Sequence, residues 1–181
     1  LIALAKAKPG ALNYASSGSG GQGHLATEVL SGLTGIKLQH VPYKGGGPAL
    51  VDLLGGQVQL HLNVPINLIA HVKSGKLKGM AISGESRLAA LPQLPTFSEA
   101  GLPTFDVSYW QGVVMPAGAP KPIIDKMSAE IAKILAMPDV RERLISQGAE
   151  PFVSTPAQLA AKIRADTVSY AKVIKTANIK L

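Results

Sequence analysis

The sequence contains no cysteine, and its aromatic and charged residues make up only 4% and 16% of the chain. Without cysteine, the chain forms no disulfide framework and no thiolate metal site, which is compatible with an oxidising compartment. The apolar runs are short and interrupted by polar residues, so none has the length of a membrane-spanning helix. Aromatic residues are scarce and basic residues form no dense run, which argues against nucleic-acid binding.

The residues that are abundant indicate a globular chain with many turns. Hydrophobic residues make up 46% of 181 residues, with 19 glycines and 13 prolines. The net charge of +7 is uneven. Residues 1–84 contain seven lysines against Glu28 and Asp52, whereas residues 85–181 contain eleven basic and nine acidic residues. A mild positive field of this kind favours small anions in the N-terminal half.

The N-terminal half alternates short strands with helices. The patterns predict strands at 12–16, 36–43, 57–65 and 77–84, and helices at 24–35, 46–56 and 66–75. Strands and helices that alternate through short links are typical of an α/β protein with a mostly parallel sheet flanked by helices. The first residues of the chain are typical of the end of a helix that stops at Pro9 and Gly10.

The C-terminal half becomes helical after a boundary. A proline-rich link at 88–105 is followed by a predicted long strand at 106–118. Apolar residues at helical spacing then predict helices at 120–135, 138–148 and 154–179. Thr155 is the expected N-cap of the last helix, and Pro156 its first helical residue.

A G-x-G-x-x-G sequence at residues 18–23 lies between a predicted strand and a predicted helix. One interpretation is a dinucleotide site, which needs an acidic residue about 20 positions further on to bind the ribose. The second strand ends without such an acid, although Lys44 could meet the 2′-phosphate of NADP. A second interpretation is a tight turn that binds nothing.

A third interpretation is a carboxylate site. Ser16, Ser17 and Ser19 add hydroxyl donors to the backbone N–H groups at the start of the first helix. The second strand ends in another glycine-rich turn at residues 43–47, and Asn63 follows the third strand. Because the carboxyl ends of parallel strands meet at one edge of a sheet, these groups are expected to line one cleft.

Six stretches, in order, resemble the substrate-binding proteins of tripartite tricarboxylate transporters, the Bug family. They are YASSGSGGQGHLATEVL, VPYKGGGPALVDLLGGQV, HVKSGKLKGMAIS, LPQLPTFSEAGLP, YWQGVVMPAGAP and VRERLISQGAEP. The resemblance covers nearly the whole chain. It implies a periplasmic receptor with two periplasmic-binding-protein-like α/β lobes that close around a small di- or tricarboxylate or aromatic acid. It also implies that the receptor delivers this ligand to membrane transporter subunits, without a cofactor and without catalysis.

Family members are longer, so the resemblance also implies a truncated chain that lacks the signal peptide and most of the first lobe. Residues 1–11 would be the end of a helix from that lobe, and 12–106 the ligand-binding lobe. Residues 107–181 would be a return strand and C-terminal helices that pack toward the absent lobe. The resemblance places these residues on the cleft: Ser16, Ser17, Gly18, Ser19, Gly20, Gly21, Tyr43, Lys44, Gly45, Gly46, Gly47 and Asn63.

Two departures from the family pattern bear on the ligand. The family often has serine where this chain has Gly21, and often Asp-Asn where this chain has Leu62 and Asn63. Without that acid an ammonium group has no obvious partner, so a plain carboxylate is expected rather than an amino acid.

The remaining candidate residues are given structural roles. The four histidines (His24, His40, His61 and His71) have no metal-ligand spacing and are expected to be structural or on the surface. Tyr109 and Trp110 are expected to support a hinge or to pack. The alternatives left open are an NADP-binding α/β enzyme that uses the Gly18–Gly23 turn, and an interaction module without a small ligand. Without the first lobe, an exposed apolar surface covered by self-association is expected.

Overall fold

The computed structural model describes residues 1–105, 107 and 109–179. The N-terminal part contains three short strands and four short-to-medium helices, and the C-terminal part contains three helices. In chain order they are α1 (Ile2–Ala7), β1 (Asn13–Ser16), α2 (Gln22–Thr34), β2 (Gln39–Pro42), α3 (Gly46–Leu54), β3 (Leu60–His61), a 3-10 turn (Pro65–Asn67), α4 (Ile69–Lys73), α5 (Lys121–Ala136), α6 (Pro138–Ser146) and α7 (Pro156–Thr176).

The three strands form a parallel sheet in the order β2-β1-β3. The central strand β1 is covered on both faces. Tyr14 contacts α2 through a hydrogen bond to Glu28, whereas Ala15 on the opposite face packs with Ala49 of α3. Because the chain leaves β1 toward β2 and then crosses to β3, the strand order reverses between β1 and β3. Ligands bind at such a reversal in open α/β sheets.

Three clusters of buried apolar side chains hold these elements together. Ala15, Ala49 and Val58 lie between the sheet and α3. A second cluster joins α2 to the segment around Phe105, and a third joins α4 to the proline-rich link through Ile69, Leu91 and Leu94. The proline-rich segment is therefore packed against α2 and α4, although its sequence marks a boundary.

The predicted helices are present, with ends close to those expected. Thr155 is the N-cap of α7: its side chain accepts a hydrogen bond from the backbone N–H of Gln158, and the Gln158 side chain accepts one from the backbone N–H of Thr155. Such a capping box satisfies two N–H groups that the helix itself leaves unpaired. The expected cap and the first helical residue Pro156 are both confirmed.

Two predicted strands are wrong. Residues 77–84 contain only an isolated bridge between Ile82 and Thr96, and no strand is found among the described residues of 106–118, where 106 and 108 lie outside the description. The predicted third strand is reduced to Leu60–His61. An extended segment becomes a strand only where a neighbouring strand pairs with its N–H and C=O groups. The described part of the chain offers residues 109–118 no such partner.

Candidate functional site

Three turns meet at the carboxyl edge of the sheet, and we name them by the strand that each follows: turn 1 (residues 17–21), turn 2 (residues 43–45) and turn 3 (residues 62–64). The backbone N–H of Tyr43 donates to the carbonyl oxygen of Ser16 at 3.0 Å, and that of Gly45 donates to Ser17 at 3.1 Å. The Asn63 amide nitrogen of turn 3 lies 3.4 Å from the position that a Cβ on Gly46 would occupy. The structure therefore brings the three predicted groups of residues together.

Glycine is required in turns 1 and 2 for their backbone conformation. Gly20 has φ 73° and Gly45 has φ 110°, in a region that residues with a Cβ rarely adopt. Gly21 and Gly45 are the N-caps of α2 and α3, and neither of these described helices has a side-chain cap. At the start of α2 the backbone N–H of Gly23 donates to the Tyr109 hydroxyl. The positive ends of the α2 and α3 dipoles lie at these two glycine caps.

The predicted serines of turn 1 and its strand differ in exposure. Ser16 is fully buried, and its hydroxyl accepts from the N–H of Gly18 at 3.2 Å and lies 2.6 Å from Nε2 of His40. Ser17 and Ser19 are exposed to solvent. Ser16 therefore supports the turn from beneath, while the other two hydroxyls face the outside.

A stack of aromatic rings lies beneath turn 1. The rings of His24 and His40 are stacked with centroids 3.8 Å apart, and His40 also stacks on Tyr14 at 4.8 Å. The N–H of Gly20 donates to Nδ1 of His24 at 3.1 Å, which requires that nitrogen to be unprotonated. Burial, and then the neighbouring His24, lower the pKa of His40 to about 4, and burial lowers the pKa of His24. Two neutral imidazoles thus hold turn 1 in place.

The charges around the three turns favour an anion. The stretches 16–23, 43–47 and 61–67 contain no acidic residue, and Lys44 in turn 2 is exposed. The nearby carboxylate of Asp52 lies in α3 and accepts a hydrogen bond from the Tyr43 hydroxyl at 2.7 Å. What remains at this edge of the sheet is a set of hydrogen-bond donors.

Sequence analysis missed three residues at this edge. His61, expected to be structural or on the surface, bonds to Asn63, and the Asn67 amide nitrogen lies 3.9 Å from the Cβ position of Gly46. The hydroxyl of Tyr109 lies 3.9 Å from the Cβ position of Gly23 at the start of α2. Only the short spacing His61-x-Asn63 could have been noticed beforehand, since the other contacts join segments far apart in sequence.

Neither a metal site nor a membrane-spanning helix occurs among the described residues. No group of three histidine, aspartate or glutamate side chains is placed to hold a metal ion there. No helix in that part of the chain combines the length and the hydropathy needed to cross a lipid bilayer.

Comparison with known proteins decides the family. The sequence model of the tripartite tricarboxylate transporter family receptor matches residues 1–179. The chain belongs to this family. The chain is 37% identical to protein BugT of Bordetella pertussis over 181 residues, which are all of this chain and 56% of BugT. The chain therefore spans little more than half the length of BugT.

Solved structures give the same result for the fold. The periplasmic binding protein BugD superposes on this chain with a TM-score of 0.87 at 34% sequence identity, over 99% of this chain and 60% of BugD. An R. palustris protein solved with adipate gives a TM-score of 0.91 at 32% identity, over 98% and 60% of the two chains. MatC from Rhodopseudomonas palustris, with bound malate, gives 0.83 at 32% identity over 96% and 60%. The predicted periplasmic-binding-protein-like α/β fold and the predicted family are confirmed.

Proposed function

We propose that this chain contains one ligand-binding lobe of a solute receptor that binds a small dicarboxylate in the periplasm and delivers it to the membrane subunits of a tripartite transporter. One observation carries the proposal. Two helices, α2 and α3, begin at glycine N-caps in turns 1 and 2, which backbone hydrogen bonds hold side by side at one edge of the sheet. Backbone N–H groups at helix N-termini bind carboxylates through directed hydrogen bonds and the helix dipole.

Several features around those two helices support a carboxylate ligand. The exposed hydroxyls of Ser17 and Ser19, and the amide nitrogens of Asn63 and Asn67, add donors to the edge. Relatives of the same fold were solved with adipate and with malate, and both of these ligands are dicarboxylates. The acid that would suit an ammonium group is absent from the three turns, so we propose a plain diacid rather than an amino acid.

The dinucleotide interpretation has less support. The second strand ends at Pro42 and is followed by Tyr43 and Lys44, so no acid is in place for a ribose hydroxyl. The family matched is described as a receptor family. We therefore propose binding without chemistry on the ligand, and without a cofactor.

We also propose that the ligand-binding lobe consists of residues 12–106. Residues 1–11 would then be the end of a helix that belongs to a second lobe, and residues 107–181 would pack against this second lobe. The described helices α5, α6 and α7 contain no buried residue, although Ile123, Met127 and Val168 are large apolar side chains. Apolar helix faces of this kind are normally covered by another part of a protein. Closure of two lobes over the ligand would then be a hinge motion.

The first experiment is calorimetric titration of the protein, as isolated from its cell, with adipate, malate, a basic amino acid and NADP. The intact mass and the N-terminal sequence are measured on the same sample. We expect a saturable heat with at least one diacid and none with NADP or the amino acid. Binding of NADP alone would overturn the receptor proposal in favour of an enzyme, and tight binding of the amino acid alone would overturn the proposed ligand class.

A further inference from the structure

His61 is held between two fixed partners at the end of β3. Its Nδ1 lies 2.9 Å from the carbonyl oxygen of Ala15, and its Nε2 lies 2.8 Å from the amide nitrogen Nδ2 of Asn63. A carbonyl oxygen only accepts hydrogen bonds, so Nδ1 bears the proton of the neutral ring. The other nitrogen, Nε2, is then an acceptor, and Asn63 must donate to it.

The amide of Asn63 is oriented by two independent bonds. Nδ2 donates to His61, while Oδ1 accepts from the backbone N–H of Val64 at 2.8 Å. Both bonds require the same orientation of the amide. Nδ2 has a second hydrogen, and this nitrogen lies 3.4 Å from the Cβ position of Gly46, at the first turn of α3. A side-chain donor is thereby added to the backbone donors of that helix.

We propose that His61 is a positioning residue that fixes the Asn63 amide with its nitrogen toward the ligand, so that this side of the cleft presents donors only and selects carboxylates. This role rests on the proposed function. If the protein binds carboxylates, His61 determines the preference of the cleft for a negatively charged group. If the amide were turned over, Oδ1 would replace the donor beside α3. An oxygen there repels a carboxylate and leaves one of its hydrogen bonds unmade.

The same geometry predicts a pH dependence of binding. Protonation of Nε2 makes both ring nitrogens donors, so His61 then bonds to Asn63 only if the amide turns over. Burial lowers the pKa of His61, while its bond to Ala15 acts in the opposite direction. The ring is therefore neutral at neutral pH and becomes protonated at acid pH, where affinity for a carboxylate falls.

The ionisable groups around His61 are engaged elsewhere. The strand β3 packs against β1 and α3, whose ionisable side chains are Tyr14 and Asp52. Tyr14 donates to Glu28 of α2 at 2.6 Å, and Asp52 accepts from Tyr43. Lys44 in turn 2 is exposed. Asp52 is the one carboxylate among the described residues of β1 and α3, and it is bonded to Tyr43, so protonation of His61 acts through Asn63.

The test is calorimetric titration of adipate and malate between about pH 5 and pH 8, the range in which histidines titrate. His61→Phe removes the acceptor, and we expect its affinity at pH 7.5 to fall about tenfold, the effect of one lost hydrogen bond. His61→Gln keeps an oxygen acceptor for Asn63 but does not titrate. We expect its affinity to stay within about threefold of the parent, without the loss at acid pH.

Matched controls separate positioning from folding. His71→Gln removes a histidine outside the three turns and is expected to keep the parent's affinity and pH profile. Thermal unfolding is measured for each variant to show that it folds. If His61→Phe does not fold, the pH dependence of diacid affinity in His61→Gln tests the positioning role by itself. The positioning role is wrong if the parent binds diacids and the His61 variants have the same affinity and the same loss of affinity at acid pH. If the parent binds no carboxylate at all, the proposed function itself has failed.

Discussion

Gly46 is the residue at which the space for a ligand is most easily tested. A methyl group there would lie 3.4 Å from the Asn63 amide nitrogen, in the gap between α3 and turn 3. We predict that Gly46→Ala lowers diacid affinity about tenfold or more, because the methyl group occupies space beside the donors. The measurement is calorimetric titration of adipate and malate.

Gly32→Ala is the control for that substitution. Gly32 lies in α2, outside the three turns, and a Cβ there meets nothing within 4 Å. Its affinity should match the parent. Equal affinities of both variants and the parent would show that the ligand does not occupy the gap beside Gly46.

Gly23 determines how closely α2 approaches turn 3. A Cβ on Gly23 would lie 2.6 Å from the carbonyl oxygen of Leu62, closer than side chains pack against backbone. We predict that Gly23→Ala lowers the free energy of unfolding by about 1–3 kcal/mol, because helix and turn must separate. Gly32→Ala in the same helix should instead raise it by about 0.5–1 kcal/mol. Urea denaturation of the two variants measures both, and an unchanged Gly23→Ala midpoint would contradict the close approach.

At the scale of elements, the stacked imidazoles join β2 to α2 and make the lobe sensitive to acid. The pKa of His40 is lowered to about 4 in the folded chain, whereas the unfolded value is that of an ordinary histidine, about 6.5. Between those two values the unfolded chain binds a proton that the folded chain does not. Stability is therefore expected to decrease as the pH falls from about 6.5 to about 4.

His40→Gln tests this dependence. It removes the titrating ring, so the urea midpoint of the variant should change less between pH 7 and pH 4.5 than that of the parent, whatever its midpoint at pH 7. His71→Gln, outside the stack, should keep the parent's dependence. A His40→Gln midpoint that falls with pH as steeply as the parent's would assign the acid sensitivity to other groups.

Helices were predicted well from the sequence, and strands were not. The helices α5, α6 and α7 follow from apolar periodicity and local stop and start residues such as Pro138 and Thr155, which act within a few residues. Strand pairing depends on a distant partner. Residues 77–84 have a suitable composition but form only one bridge, at Ile82, with the chain near Thr96. Composition alone therefore overestimated the sheet.

At the scale of the whole molecule, α5 and α7 expose large apolar side chains to solvent. Val168 is 75% exposed and Ile123 is 49% exposed. A groove of about 720 Å³ between α4 and α6, lined in part by Ala89, Ala90 and Ile145, adds to this surface. We predict that the 181-residue chain self-associates in solution, because association buries apolar area.

Light scattering over a concentration series measures this association. Val168→Lys should shift the chain toward the monomer, since it places a charge on the face of α7. Val51→Lys adds the same charge at a similarly exposed position of α3, 66% exposed, and should leave association unchanged. A parent that stays monomeric over the whole series would show that this surface does not drive association.

The sequence by itself determined the helices, the class of fold and the two glycine-rich turns, because these depend on periodicity and on backbone conformations within a few residues. The family likewise followed from contiguous stretches. The tertiary structure decided the rest. It buried Ser16 beneath turn 1, brought Asn63 to the start of α3, and assigned roles to His24, His40 and His61. Those roles depend on contacts between segments that only the folded sheet brings together, so no local pattern encodes them.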